Sequence, residues 1–308
     1  MKYLQGFALF IITCSIVSAC TPQESKPDID SITVSFEHPQ TKQKFKIVHA
    51  YELYQNFTEQ VESEPSRSQS AIYKEEVITP VYNACFSNGE YINLAEMVLN
   101  VTPKQLTANK LLSEEIDREA TEKSIKEALF KSAELLPTKN ETTVCVFPTT
   151  NVIASMATIG AGKIAVLYDT YYNDEIIKTS IAHEYHHSVW TEKRLQTEGT
   201  VLDNIVFEGK AVMFEKLVYP KLNGTAVDFT YNKVYWSKIV EDLEKKDLER
   251  SFEITLGRNG LPDNYGYNEG YKMLQSYLDL HPNTTVEEWT ALSAKEIFEK
   301  GNYLTNYQ

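Results

Sequence analysis

The sequence predicts an α+β fold, mainly helical, with a small β-sheet next to one long helix. Three observations carry this. Two runs rich in β-branched residues, Thr143-Val144-Cys145-Val146-Phe147 and Lys163-Ile164-Ala165-Val166-Leu167-Tyr168, are bounded by turn residues and read as strands. Most of the remaining chain repeats its apolar residues at helical spacing. The stretch His183-Glu184-Tyr185-His186-His187, inside one of the helical segments, gathers half of the chain's 6 histidines.

With 308 residues, 42% of them hydrophobic, the chain can bury a substantial core. Lys and Arg number 30 against 43 Asp and Glu, and the net charge of −13 argues against nucleic acid as a partner. It also argues against a polybasic attachment to anionic lipid.

Residues 1–19 read as a signal peptide: a positive charge at Lys2, an apolar run over Phe7 to Ile12 too short to span a bilayer comfortably, then small residues. The closing Val17-Ser18-Ala19-Cys20 resembles a bacterial lipoprotein signal, in which cleavage leaves a lipidated Cys20 at the new N-terminus. An ordinary secretory signal is the other reading. The lipoprotein resemblance implies a place in the bacterial cell envelope, outside the cytoplasm, with the membrane held through the N-terminal lipid. Residues 20–30, polar and carrying Pro22 and Pro27, read as a flexible tether. Cys14 leaves with the signal. Cys85 and Cys145 remain, in an oxidising setting that allows one disulfide; two buried free thiols are the alternative.

The folded body, 31–308, reads as a single domain in three stretches: strands and helices over 31–140, a core over 141–222 and a helical part over 223–308. Ile32 to Phe36 and Phe45 to Val48 read as two short strands, paired with each other. From about residue 50 to 136 the pattern is helical, with Tyr51, Leu53, Tyr54 and Phe57 on one stripe and Ile125, Ala128, Leu129 and Leu135 on a later one. Ser155 to Gly162 is made mostly of small residues and reads as a loop. Together with the strand after it, this loop is either an edge that receives an extended peptide or an ordinary hairpin connection.

His183-Glu184-Tyr185-His186-His187 spells H-E-x-x-H. In a helix of 3.6 residues per turn, His183 and His187 project from one face, a turn apart, and reach a single metal ion. Glu184 stands beside them to handle a proton. The pattern is that of zinc hydrolases, most often peptidases, and so predicts Zn²⁺ as cofactor. Asp174 and Glu175 at the start of this helix, with Lys193 and Arg194 at its end, complement the macrodipole. His186 lies off the ligand face.

Tetrahedral zinc needs a third protein ligand. Thr200 to Tyr219 reads as a second helix, capped by Thr200 with Asp203 and stopped by Pro220. Glu208 lies on a mostly apolar face of it, with Val201, Asn204, Ile205, Ala211 and Val212 as neighbours, where metal binding resolves the cost of burying a carboxylate. Gly209 and Ala211 keep the helix thin there, for close approach to the motif helix. Competing ligands are Asp203, better explained as a cap, Glu215, read as a solvated charge, and a cysteine.

His183-Glu184-x-x-His187 followed by Glu208-Gly209 on a second helix resembles the gluzincin metalloproteases, which implies Glu208 as third zinc ligand. HEYHH, then EGKA at Glu208 to Ala211, then Gly266-Tyr267-Asn268-Glu269-Gly270-Tyr271 is similar to the bacterial predicted zinc-dependent proteases of the domain of unknown function 2268. This similarity runs from about residue 45 to the C-terminus and implies a zincin-like catalytic core for 31–308.

Tyr231 to Arg250 reads as a helix with a solvated charged face, and a further helix containing Met273, Leu274, Tyr277 and Leu278 ends before Pro282, with His281 as its cap. Thr285 to Gly301 reads as a final amphipathic helix. Tyr267 and Tyr271, one turn apart, are each placed to hydrogen-bond an oxyanion near the metal; both being packing residues is the alternative. The leading expectation is a zinc metallopeptidase in which Glu184 is the general base and a peptide or protein is the substrate. A membrane-anchored peptide- or partner-binding lipoprotein with a vestigial or structural zinc site is the alternative, and a zinc hydrolase acting on a non-peptide amide is a third.

Overall fold

The computed structural model describes residues 28–150, 156–193 and 199–307. The predicted signal peptide, Cys20, the tether up to residue 27, and Arg194 lie outside the described residues. Five strands, Thr33–Glu37 (β1), Lys44–Val48 (β2), Thr142–Pro148 (β3), Met156–Gly160 (β4) and Lys163–Tyr168 (β5), form one sheet in the order β1-β2-β3-β5-β4. β2, β3 and β5 are parallel, while β1 and β4 run antiparallel at the two edges. β3 is buried along its whole length, as a central strand covered on both faces must be.

Side chains alternate across this sheet and divide the core in two. On one face Phe45, Ile47, Val144, Val146, Ile164 and Val166 join one buried cluster. On the other Val48, Cys145, Phe147, Ala165 and Leu167 join a second. The second face is covered by Leu53–Ser63 (α1), Gln69–Tyr73 (α2), a π-turn at Lys74–Ile78 and Thr79–Cys85 (α3). Glu96–Leu99 (α4) and Leu106–Glu115 (α5) follow. A disulfide joins Cys85 at the end of α3 to Cys145 in β3, so the two cysteines are not free thiols.

The first face carries Arg118–Leu135 (α6), Asp174–Glu192 (α7) and Val201–Val218 (α8). After them come Lys233–Trp236 (α9), Leu248–Leu256 (α10), Tyr265–Leu280 (α11), Val286–Ala291 (α12) and Ala294–Lys300 (α13). The result is mainly helical α+β, as the sequence predicts. Among the described residues no helix is long and apolar enough to cross a membrane.

Four expectations are corrected. The predicted loop before β5 is mostly strand β4, and only Ala161 and Gly162 make the turn; Gly162 has φ +68°, and a Cβ there would lie 2.4 Å from the Glu141 carbonyl oxygen. The predicted helix over Tyr231 to Arg250 is broken, because the carbonyls of Leu243 and Lys245 leave the helical path to accept from the N–H groups of Leu202 and Val201 at the start of α8. The final helix is split into α12 and α13: Ser293 caps α13 by accepting from Glu296 N–H, and the freed carbonyls of Thr290 and Leu292 accept from the buried Lys210 ammonium. Leu135 is exposed, whereas Ile125, Ala128 and Leu129 are core.

Candidate metal centre

α7 starts six residues after β5, capped by Asn173, whose side chain accepts from Ile176 N–H at 2.9 Å. It runs under the sheet beside β4 and carries His183 and His187 into the interior, 8% and 4% exposed. α8 starts with the predicted capping box of Thr200 and Asp203, which commits Asp203 to the backbone and removes it as a ligand. Cys145 is excluded by its disulfide.

His183 Nε2 and His187 Nε2 lie 3.1 Å apart, and Glu208 Oε2 lies 3.2 Å from each. Ligand atoms around one tetrahedral zinc, with bonds of about 2.05 Å, stand about 3.3 Å from one another. The three residues therefore fit the donor set and the spacing of a zinc ion, and they form the His/Glu group able to hold a metal among the described residues. Electrostatics point the same way. Burial pushes the His183 imidazole down, but the Glu208 and Glu215 carboxylates outweigh it and raise His183 to about 10. Burial works against ionisation of Glu208 too, yet the two histidines hold it well below the usual carboxylate range. The point where the ligand atoms converge favours positive charge.

Glu215 is not the solvated charge that the sequence suggests. It is 2% exposed, accepts from Thr225 N–H at 2.6 Å and Thr225 Oγ1 at 2.8 Å, and faces His183 Nδ1 at 3.6 Å. Burial raises its pKa, but His183 and Thr225 outweigh that and lower it, so the carboxylate stays charged. It thus stands behind His183, on the ring nitrogen turned away from the other ligands. The sequence signal was its spacing: seven residues after Glu208 is two turns on the same helix face. His187 is held differently, by stacking on Phe207 at 3.9 Å between ring centres.

Gly209 turns out to face α11 and not the motif helix. A Cβ on Gly209 would lie 2.0 Å from the Gly270 carbonyl carbon, and one on Gly270 would lie 2.0 Å from the Ile205 oxygen, so α8 and α11 touch backbone to backbone. This crossing sets Tyr267, one turn before Gly270, against the candidate ligands: its phenol faces the Glu208 carboxylate, and its ring centre is 6.0 Å from that of His183. The Glu208 charge first, and burial second, raise the Tyr267 phenol well above its ordinary value and keep it a donor. Tyr271 is not brought to the cluster; its hydroxyl donates to Gln275 at 3.4 Å and its ring packs on Phe229. His186, off the ligand face as expected, is stacked on Trp289 in the core.

Glu184 opens into a pocket of about 200 Å³ lined also by His183, Tyr267, Ser180, Thr225 and Asn264. A helix-borne pair of histidines, a carboxylate from a crossing helix and an acid beside them on an open pocket form a candidate metal centre with the donor set that metal-dependent hydrolases use. The family is narrower: the one described as predicted Zn-dependent protease (DUF2268) matches residues 119–299, and the chain belongs to it. The match takes in α7, α8 and α11 together. No curated protein and no solved structure matches the chain.

Proposed function

We propose that this protein is a zinc metallopeptidase of the gluzincin type, with His183, His187 and Glu208 as ligands. The observation that carries this is the convergence of three ligand atoms at 3.1 and 3.2 Å beside Glu184. When bound there, zinc polarises the scissile carbonyl and brings the pKa of a water molecule to about 7. Glu184 takes the proton of the attacking water as the new C–O bond forms, and returns it to the amine nitrogen as the C–N bond breaks. Tyr267 donates its phenolic hydrogen bond to the developing oxyanion. Glu215 keeps the His183 ring turned so that Nε2 faces the other ligands.

The substrate is a peptide or protein lying along β4. β4 is the outer strand of the sheet; its Ile159 oxygen is taken by Tyr91 N–H, and the Ala157 end of the edge, two residues along, is the part that supports pairing with an extended chain. The sequence of residues 1–20 supports a lipid anchor at Cys20 and a place in the cell envelope outside the cytoplasm. The test is zinc stoichiometry by elemental analysis, together with cleavage of a peptide library, on wild type and Glu208→Ala. Wild type holds one equivalent of zinc and cleaves; Glu208→Ala loses both. Tight zinc binding retained in Glu208→Ala overturns the ligand set.

A further inference from the structure

Thr158 has no part in the chemistry above, yet it touches the general base. It lies in β4, is 4% exposed, and its Oγ1 stands 2.8 Å from Glu184 Oε2 and 2.8 Å from the Glu184 backbone oxygen. A threonine hydroxyl carries one proton, so it donates to one of these oxygens at a time. Either acceptor alone would satisfy a buried hydroxyl. Having both, at equal distance and on one residue, is what a purely structural contact does not need. The strand is fixed by pairing with β5, where Thr158 stands opposite Ile164, and a β-branched side chain has little χ1 freedom.

We propose that Thr158 is a positioning residue for Glu184 in the hydrolysis proposed above, on which this inference rests. While Glu184 is a carboxylate, the hydroxyl donates to Oε2 and leaves Oε1 to take the proton of the attacking water. Thr158 transfers no proton itself. Its effect is to hold one carboxylate orientation, pinned to the side chain and the backbone of the same residue, and to tie that orientation to the strand along which the substrate lies.

The test compares zinc-loaded Thr158→Val, Thr158→Ala and Thr158→Ser with wild type. Val and Ala keep zinc and KM and lose about tenfold to a hundredfold in kcat, the scale of a misplaced catalytic group; Ser returns kcat to within about threefold of wild type. Crystal structures of the zinc-loaded proteins show one Glu184 conformer in wild type and Ser, and several in Val and Ala. Wild-type kcat in Val and Ala with a single Glu184 conformer overturns the proposal, and so does a loss that Ser fails to restore. A wild type that cleaves no peptide defeats the proposed function alone, because the Glu184 conformers still decide the role of Thr158.

Discussion

The two faces of the sheet are built by different means. The face behind β3 is closed by α1, α2 and α3 with apolar side chains such as Phe57, Tyr73 and Phe86, and by the Cys85–Cys145 disulfide. The face in front is closed by α6, α7, α8 and α11, and buries ionisable side chains: His183, His187, Glu215, Lys210, Glu269 and Lys272 are all under 9% exposed. The family match covers the front and leaves out β1, β2 and α1 to α5. The difference teaches that the rear face needs bulk and a covalent tie to hold the sheet. The front needs helix separations fixed to within a methyl group, because buried ionised groups are tolerable only with partners at the right distance.

If the division holds, changes in front alter zinc and turnover, and changes behind alter stability alone. The largest effect is expected from Glu184→Gln, which keeps zinc and loses about a thousandfold in kcat, within the range for a general base; full activity in that variant removes the mechanism. Next is the double variant Cys85→Ala, Cys145→Ala. Opening a link across 60 residues lowers unfolding free energy by about 2–4 kcal/mol, read by denaturant melts. Zinc affinity of the protein that remains folded is unchanged, and a parallel loss of zinc would break the comparison. Glu215→Gln weakens zinc about tenfold to a hundredfold, the usual cost of losing a partner behind a ligating histidine, measured by chelator competition. The smallest effect sharpens the front itself: Tyr271→Phe leaves kcat unchanged, with stability within about 0.5 kcal/mol, whereas Tyr267→Phe lowers kcat.

Much of the front was legible in the sequence because its signals are local. The capping box at Thr200, the i, i+4 histidines and the carboxylate of Glu208 on an apolar helix face each need only a few neighbouring residues. Glu215 was misread because its burial depends on Thr225, in an irregular segment that folds back over α8 and has no periodicity to announce it. β4 was misread because Met156, Ala157 and Gly160 lack strand propensity; pairing with β5 makes them a strand. The broken helix around Leu243 follows from a demand made by another element, the unsatisfied N–H groups of α8, which no local pattern records. Tyr267 and Tyr271 could not be separated in one dimension, since they share a helix face.

What separates them is the contact of Gly209 with Gly270, which acts as a register stop. Were α11 to slide one turn along α8, Tyr271 would take the place of Tyr267 beside Glu208. Leu274 would then arrive where Gly270 lies, against Gly209, in a gap that already rejects a single carbon atom. The two glycines thus choose which phenol meets the carboxylate. In the proposed mechanism, metal affinity and oxyanion donation hang from one crossing point, and neither can be tuned there without moving the other.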